Sequence, residues 1–119
     1  MLAIGGAGVV EEFFSRLPSG GEYPPEELEG YATRMGQMSP LPTEQARRLL
    51  GSPNWYARVA ALDFFERKGG QDDVKRLEAA KSDKAPVKGP RWDKTKTVGD
   101  VAEAAVESAK LRLSQATAQ

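Results

Sequence analysis

The stretch from Leu49 to Asp83, LLGSPNWYARVAALDFFERKGGQDDVKRLEAAKSD, decides the fold of this chain. It contains two runs in which apolar residues recur at helical spacing, and Gly69 and Gly70 separate them. Asn54 is placed to cap the first run, and Asp72 and Asp73 open the second, where a helix dipole favours anions. The apolar positions are Trp55, Val59, Leu62 and Phe64 or Phe65 in the first run, and Val74, Leu77 and Ala80 in the second. The pattern predicts two helices joined by a glycine turn.

The flanking sequence extends the helical pattern in both directions. Further helices are predicted from Gly8 to Leu17, from Pro25 towards Met38, from Thr43 to Leu50 and from Val98 to Leu113, with prolines or glycines between them. Residues 114–119 are expected to fray. Because no strand-like alternation interrupts this series, we expect an all-α fold of five or six helices in one domain, residues 1–113.

Composition excludes several classes of function. Among 119 residues, 17 Lys and Arg balance 17 Asp and Glu, so no overall attraction to nucleic acid or to anionic lipid is indicated. The chain has neither histidine nor cysteine, which removes the commonest general base and the commonest metal ligands. No apolar run approaches the roughly 18 residues of a membrane span. We therefore expect a cytoplasmic protein without enzymatic activity, cofactor or metal.

The glycines at the start of the chain first suggest a phosphate-binding loop. A dinucleotide motif that begins at Gly6 and continues at Gly8 needs Gly or Ala at position 11, where this chain has Glu11. The segment GGAGVVEEFF instead aligns with GGQDDVKRLE, and ARVAALDFF aligns with AEAAVESAK. Two helix types therefore recur along the chain, as in helical solenoids, and the opening glycines are interpreted as a turn between helices.

The central stretch resembles a HEAT repeat of the short bacterial, phycobilisome-lyase-like type. The matching positions are Leu49, Leu50, Pro53, Arg58, Ala60, Ala61, Leu62, Gly69, Gly70, Val74 and Leu77. The resemblance covers one complete unit, about residues 49–83, with partial units on either side. It implies antiparallel helical hairpins stacked as a short α-solenoid, an Arg58 paired with an acidic residue of an adjacent turn, and a chain that is a fragment of a longer protein.

Residues 82–97 form the one segment without helical periodicity, and we interpret them as an exposed basic loop. Its candidate partner-binding residues are Lys84, Lys88, Arg91, Trp92, Lys94 and Lys96. Trp92 either stands free as an anchor or folds back on the helices. Asp63, Glu66, Asp72 and Asp73 are interpreted as a solvated face and a helix N-terminus rather than as a catalytic or metal site.

Two functions fit these features. The first is a non-catalytic protein–protein interaction module, or scaffold, that binds another protein or the remainder of a larger polypeptide. Its anchor would be an apolar terminal face or the Trp92 loop. The alternative is a nucleic-acid-binding helical repeat that uses the basic residues 81–96, although a net charge of zero counts against it.

Overall fold

The computed structural model describes residues 8–117, and this part of the chain is all-α. It contains six α-helices, one 3-10 turn and an isolated β-bridge between Pro86 and Thr97. The helices are α1 (Gly8–Ser15), α2 (Pro25–Gly36), α3 (Thr43–Leu49), α4 (Trp55–Lys68), α5 (Gln71–Ala79) and α6 (Val98–Thr117), and the 3-10 turn is Ala80–Ser82.

Helix α4 is the centre of the domain. Ten of its residues are buried: Trp55, Tyr56, Ala57, Val59, Ala60, Ala61, Leu62, Asp63, Phe64 and Phe65. Helices α2, α3 and α6 pack against it, which is the environment of a helix that is apolar on all sides. The apolar positions predicted for this helix describe one of its faces, and its neighbours cover the opposite face as well.

The predicted hairpin of α4 and α5 is confirmed. Helix α5 begins after Gly70, whose backbone N–H donates to the Asp73 carboxylate at 3.0 Å. Arg58 on α4 forms the expected ion pair with an acidic residue of an adjacent turn, since its Nε lies 2.7 Å from Asp83 Oδ2. The same guanidinium donates to the Ser52 carbonyl at 2.7 Å, so one side chain ties the start of α4 to the segment after α5.

Helix α6 lies across both members of this hairpin. Its Arg112 donates to the carbonyls of Phe65, Glu66 and Gly69, at 3.4, 3.1 and 2.6 Å. These carbonyls lie at the C-terminus of α4, where a cation is favourable. The close approach of α6 to the 3-10 turn requires a glycine, because a Cβ at Gly99 would lie 2.4 Å from the Lys81 carbonyl oxygen.

Two predicted boundaries differ from the structure. Helix α1 ends at Ser15 rather than Leu17, and α6 continues to Thr117, through most of the segment that was expected to fray. The predicted turn at Gly5 and Gly6 lies outside the described residues, as do Ala118 and Gln119. Between residues 8 and 117, no helix combines the length and the apolar character that crossing a membrane requires. The HEAT resemblance stays a prediction, since a central α4 surrounded by neighbours is compatible with a small solenoid or a bundle.

Candidate functional site

The predicted basic loop, residues 82–97, is tied to the helices at its base. The Val98 amide donates to the Ala85 carbonyl at 2.9 Å, and the Gly99 amide donates to the Asp83 carbonyl at 2.8 Å. One step further out, the Val87 amide donates to the Lys96 carbonyl at 3.2 Å. Val87 is buried in the core. Both ends of the loop are therefore held in place by backbone hydrogen bonds and by this side chain.

The middle of the loop binds the segment that precedes α2. Tyr23 donates its backbone N–H to the Lys88 carbonyl at 2.8 Å, and its own carbonyl accepts the Trp92 indole N–H at 2.6 Å. Gly89, between these two contacts, has φ +144°, and a Cβ there would lie 2.8 to 2.9 Å from the Tyr23 backbone. Only glycine fits this conformation and this contact. Of the two alternatives for Trp92, the structure has the one in which the side chain folds back.

The six candidate partner-binding residues do not all line one cleft. Arg91, Trp92 and Lys96 line a cleft beside the loop, whereas the remaining three do not. Lys84, Lys88, Arg91 and Lys94 are exposed, while Trp92 and Lys96 are half-buried. Arg91 Nη1 lies 3.0 Å from Glu26 Oε1, and Lys96 Nζ lies 5.9 Å from the centre of the Trp92 ring system, a cation–π distance.

The cleft has a volume of about 390 Å³, within the range of small-ligand sites. Helices α2, α4 and α6 form its walls together with the loop. Helix α6 contributes the apolar side chains Val101, Ala104 and Ala105. Helices α2 and α4 contribute three carboxylates, on Glu29, Asp63 and Glu66. A cleft with apolar and acidic walls was not predicted from the sequence.

Asp63 corrects the prediction of a solvated acidic face. It is only 9% exposed, and loss of solvation raises the pKa of its carboxyl to about 7, with Glu66 and Glu29 adding to the rise and Arg67 opposing it. The signal in the sequence was its position inside the apolar run Val59–Phe65, where an acidic residue has apolar neighbours on both sides. Half-buried Glu66 lies at the end of that run.

Asp73, predicted at a helix N-terminus, lies in the first turn of α5 and is buried. It is 5% exposed, and its carboxylate bonds to Arg47 Nε at 3.2 Å and to Arg76 Nη1 at 3.3 Å, besides the Gly70 amide. Asp72 is exposed. The role of both residues at a helix N-terminus is confirmed, and the partners of Asp73 show that it stabilises the turn.

A second, apolar groove lies between α1 and α2. Its volume is about 160 Å³, and its lining residues are Val9, Val10, Phe13, Phe14, Tyr31, Arg34, Met35 and Met38. The rings of Phe13 and Tyr31 meet edge to face with centres 4.9 Å apart. Phe13 is nevertheless 39% exposed. Burial and a hydrogen bond from its hydroxyl to the Glu27 carboxylate raise the pKa of Tyr31 to about 12.

Comparisons with known proteins found no matching family model, no matching curated protein and no matching solved structure. The geometry of the cleft and of the groove is therefore the basis for the functional argument. Within residues 8–117 no group of three or more acidic side chains is arranged to hold a metal ion.

Proposed function

We propose that this domain is a non-catalytic module that binds another protein through the groove between α1 and α2. The observation that carries the proposal is Phe13, a large aromatic side chain that remains 39% exposed in an apolar groove. Aromatic side chains in apolar pockets are the usual anchors of protein interfaces. The sequence analysis expected an apolar terminal face as one possible anchor for a partner, and we propose the groove for this role.

The groove suits one large apolar side chain of a partner. A volume of about 160 Å³ is too small for a drug-sized ligand. A channel between two helices is a common receptor for an amphipathic helix, whose apolar residues enter it. Arg34 is exposed at the rim and forms no ion pair with any residue from 8 to 117. The partner we propose is an amphipathic helix with a carboxylate next to its apolar anchor.

Affinity capture from a lysate of the source cells tests this proposal. We compare the unaltered chain with Phe13→Glu, which places a charge in the groove, and with Leu111→Glu. The control position, on α6, is 60% exposed and lies outside the groove. Circular dichroism verifies that both variants fold.

We expect Phe13→Glu to reduce recovery of a stoichiometric partner by about tenfold or more, as loss of an interface anchor does, while Leu111→Glu leaves recovery unchanged. A benzophenone cross-linker at position 13 should attach to the same partner. Equal recovery with both glutamate variants, or no stoichiometric partner at all, would overturn the proposal.

The nucleic-acid alternative stays a prediction, and no contact of the basic loop favours it. The Trp92 indole N–H already has an acceptor and Arg91 is paired with Glu26. The acidic cleft beside the loop would repel a phosphate backbone. Lys84, Lys88 and Lys94 are exposed, and none of them lines the cleft that Trp92 lines.

A further inference from the structure

Asp63 is a nearly buried carboxylate without a partner. It is 9% exposed and forms no hydrogen bond or ion pair with any residue from 8 to 117. In the same part of the chain, every fully enclosed side-chain nitrogen or oxygen has a hydrogen-bond partner. The Asp63 oxygens therefore retain accessible surface, and the cleft is the space that this residue lines. A buried charge normally needs a partner, so this site is incomplete as it stands.

Two other carboxylates of the cleft are also unpaired. Glu66 on α4 and Glu29 on α2 line it, and neither carboxylate has a hydrogen bond or ion pair within residues 8–117. Asp93 of the loop also lines the cleft, but Thr95 donates to it through both its backbone and its hydroxyl. Helix α6 contributes only apolar side chains to this wall. The unpaired carboxylates of the cleft are thus those of Glu29, Asp63 and Glu66, within residues 8–117.

The nearby cations are engaged elsewhere. Arg67 donates to the Thr33 hydroxyl and lies 3.5 Å from the Glu29 carbonyl, on α2. Arg91 pairs with Glu26, which does not line the cleft. Lys96 lies against the Trp92 ring. The cleft is consequently anionic, although two cationic residues belong to its lining.

We infer that this cleft binds an organic cation, namely a primary ammonium group carried on an aliphatic stem. The carboxylates of Asp63 and Glu66 would receive the ammonium group, exposed Glu29 would add its charge to the attraction, and Trp92 with the α6 alanines would contact the stem. The three carboxylates are not grouped as ligands of one metal ion within the described residues. A volume of about 390 Å³ accommodates a longer ligand with an apolar body. Such a group occurs in free alkylamines and in lysine side chains of other proteins. The inference is independent of the groove between α1 and α2.

Butylamine, which has the stem and the ammonium group of lysine, is the probe. A titration followed by two-dimensional amide NMR reports on the cleft through the Trp92 indole N–H and the Ala104 and Ala105 amides. The indole N–H of buried Trp55 does not line the cleft and serves as an internal reference. We expect saturable shifts in the cleft, with butylamine binding about tenfold tighter than uncharged 1-butanol, because a charged hydrogen bond is lost with the alcohol.

Three variants separate the proposed contacts from general effects of charge. Asp63→Asn and Glu66→Gln should each weaken butylamine binding by about tenfold. Glu12→Gln is the matched control, since Glu12 lies on α1 and pairs with exposed Arg16. It should change binding less than about twofold. Asp63→Asn removes the cost of a buried charge, so unfolding cannot account for its weaker binding.

Ionisation of Asp63 supplies a further readout. With the Asp63 pKa at about 7, about a tenth of the molecules carry the ionised carboxylate at pH 6 and about nine tenths at pH 8. Since neutral Asp63, like Asp63→Asn, should bind about tenfold more weakly, butylamine binding should tighten about fivefold over this interval. The alkylammonium stays charged throughout, as a lysine does. In Asp63→Asn this dependence should disappear.

A blocked tripeptide, acetyl-Gly-Lys-Gly-amide, distinguishes the two sources of the cation. Tighter binding than butylamine supports a lysine of another protein, and equal or weaker binding supports a free amine. Absence of saturable shifts in the cleft, equal binding of butylamine and 1-butanol, or unchanged binding to Asp63→Asn would each overturn the inference.

Discussion

Replacing Asp63 by asparagine should stabilise the fold, and increasingly so as the pH rises. The change keeps the size and shape of the side chain but removes its charge. In the folded protein the pKa of Asp63 is about 7, against an ordinary value of 3.8. Between these values the folded state holds a proton that the unfolded chain has released. The free energy of unfolding therefore falls as pH rises, by about 1.4 kcal/mol per unit for one such group.

The sign and the window follow from this shift. Stability that depends on neutral Asp63 is fully present below about pH 4 and is lost as pH rises to about 7. From pH 5 to pH 7 the loss is about 2 to 3 kcal/mol, and little more is lost above pH 8. Since asparagine cannot ionise, the advantage of Asp63→Asn over the unaltered chain should grow by this amount between pH 5 and pH 8.

Urea unfolding at half-unit steps from pH 5 to pH 8, followed by tryptophan fluorescence, measures this difference. Asp72→Asn makes the same substitution at an exposed position on α5 and should show a constant difference over the same range. The difference between two pH values cancels effects of the amide itself on packing. A gap for Asp63→Asn that stays constant within about 0.5 kcal/mol, or shrinks as pH rises, would refute a buried and unpartnered carboxyl.

Three further substitutions test how the loop and the hairpin are held. Gly89→Ala should lower the free energy of unfolding in urea by about 2 to 4 kcal/mol, because φ is positive there and a Cβ would overlap the Tyr23 backbone. The control Gly20→Ala places its Cβ in open space and should change this free energy by less than about 0.5 kcal/mol. Trp92→Phe removes the indole N–H that donates to the Tyr23 carbonyl and should lower the free energy of unfolding by about 1 to 2 kcal/mol. Hydrogen exchange of the Tyr23 amide should become faster, and unchanged exchange would contradict this prediction. Arg58→Ala should lower the free energy of unfolding by about 2 to 4 kcal/mol. A double-mutant cycle with Asp83→Ala should give a coupling energy above about 1 kcal/mol, and additive effects would show that this ion pair, at 2.7 Å, does not contribute to stability as a pair.

The helices were predictable because their signals are local. Pro25 begins α2 at the expected residue, and the glycine turn ends α4 just after Lys68. Both effects depend on the backbone conformation of one or two residues, which the sequence states directly. The ion pair of Arg58 was also expected, although from the resemblance and not from the local pattern.

The site was less predictable because it depends on contacts distant in sequence. The burial of Asp63 requires α2 and α6 to cover a face of α4 that the apolar spacing assigned to solvent. The position of Trp92 depends on the Tyr23 carbonyl, 69 residues away. Loop composition alone does not specify such a partner, so it left Trp92 free or folded back with equal justification. Apolar neighbours on both sides of Asp63 are the one local sign that was available.

The balanced net charge of this chain conceals local charges that do not balance. Arg91 and Lys96 came from the predicted basic loop, and both line a cleft with four acidic residues, Glu29, Asp63, Glu66 and Asp93. Arg91 has its carboxylate partner outside the cleft, whereas Glu29, Asp63 and Glu66 have no partner among the described residues. A bound ion is attracted by nearby charges that have no partner of opposite sign, because salt screens more distant charges. Which side chains of the cleft are paired therefore determines whether the cleft attracts a cation or an anion. The segment with the most lysines thus borders a cleft suited to a cation.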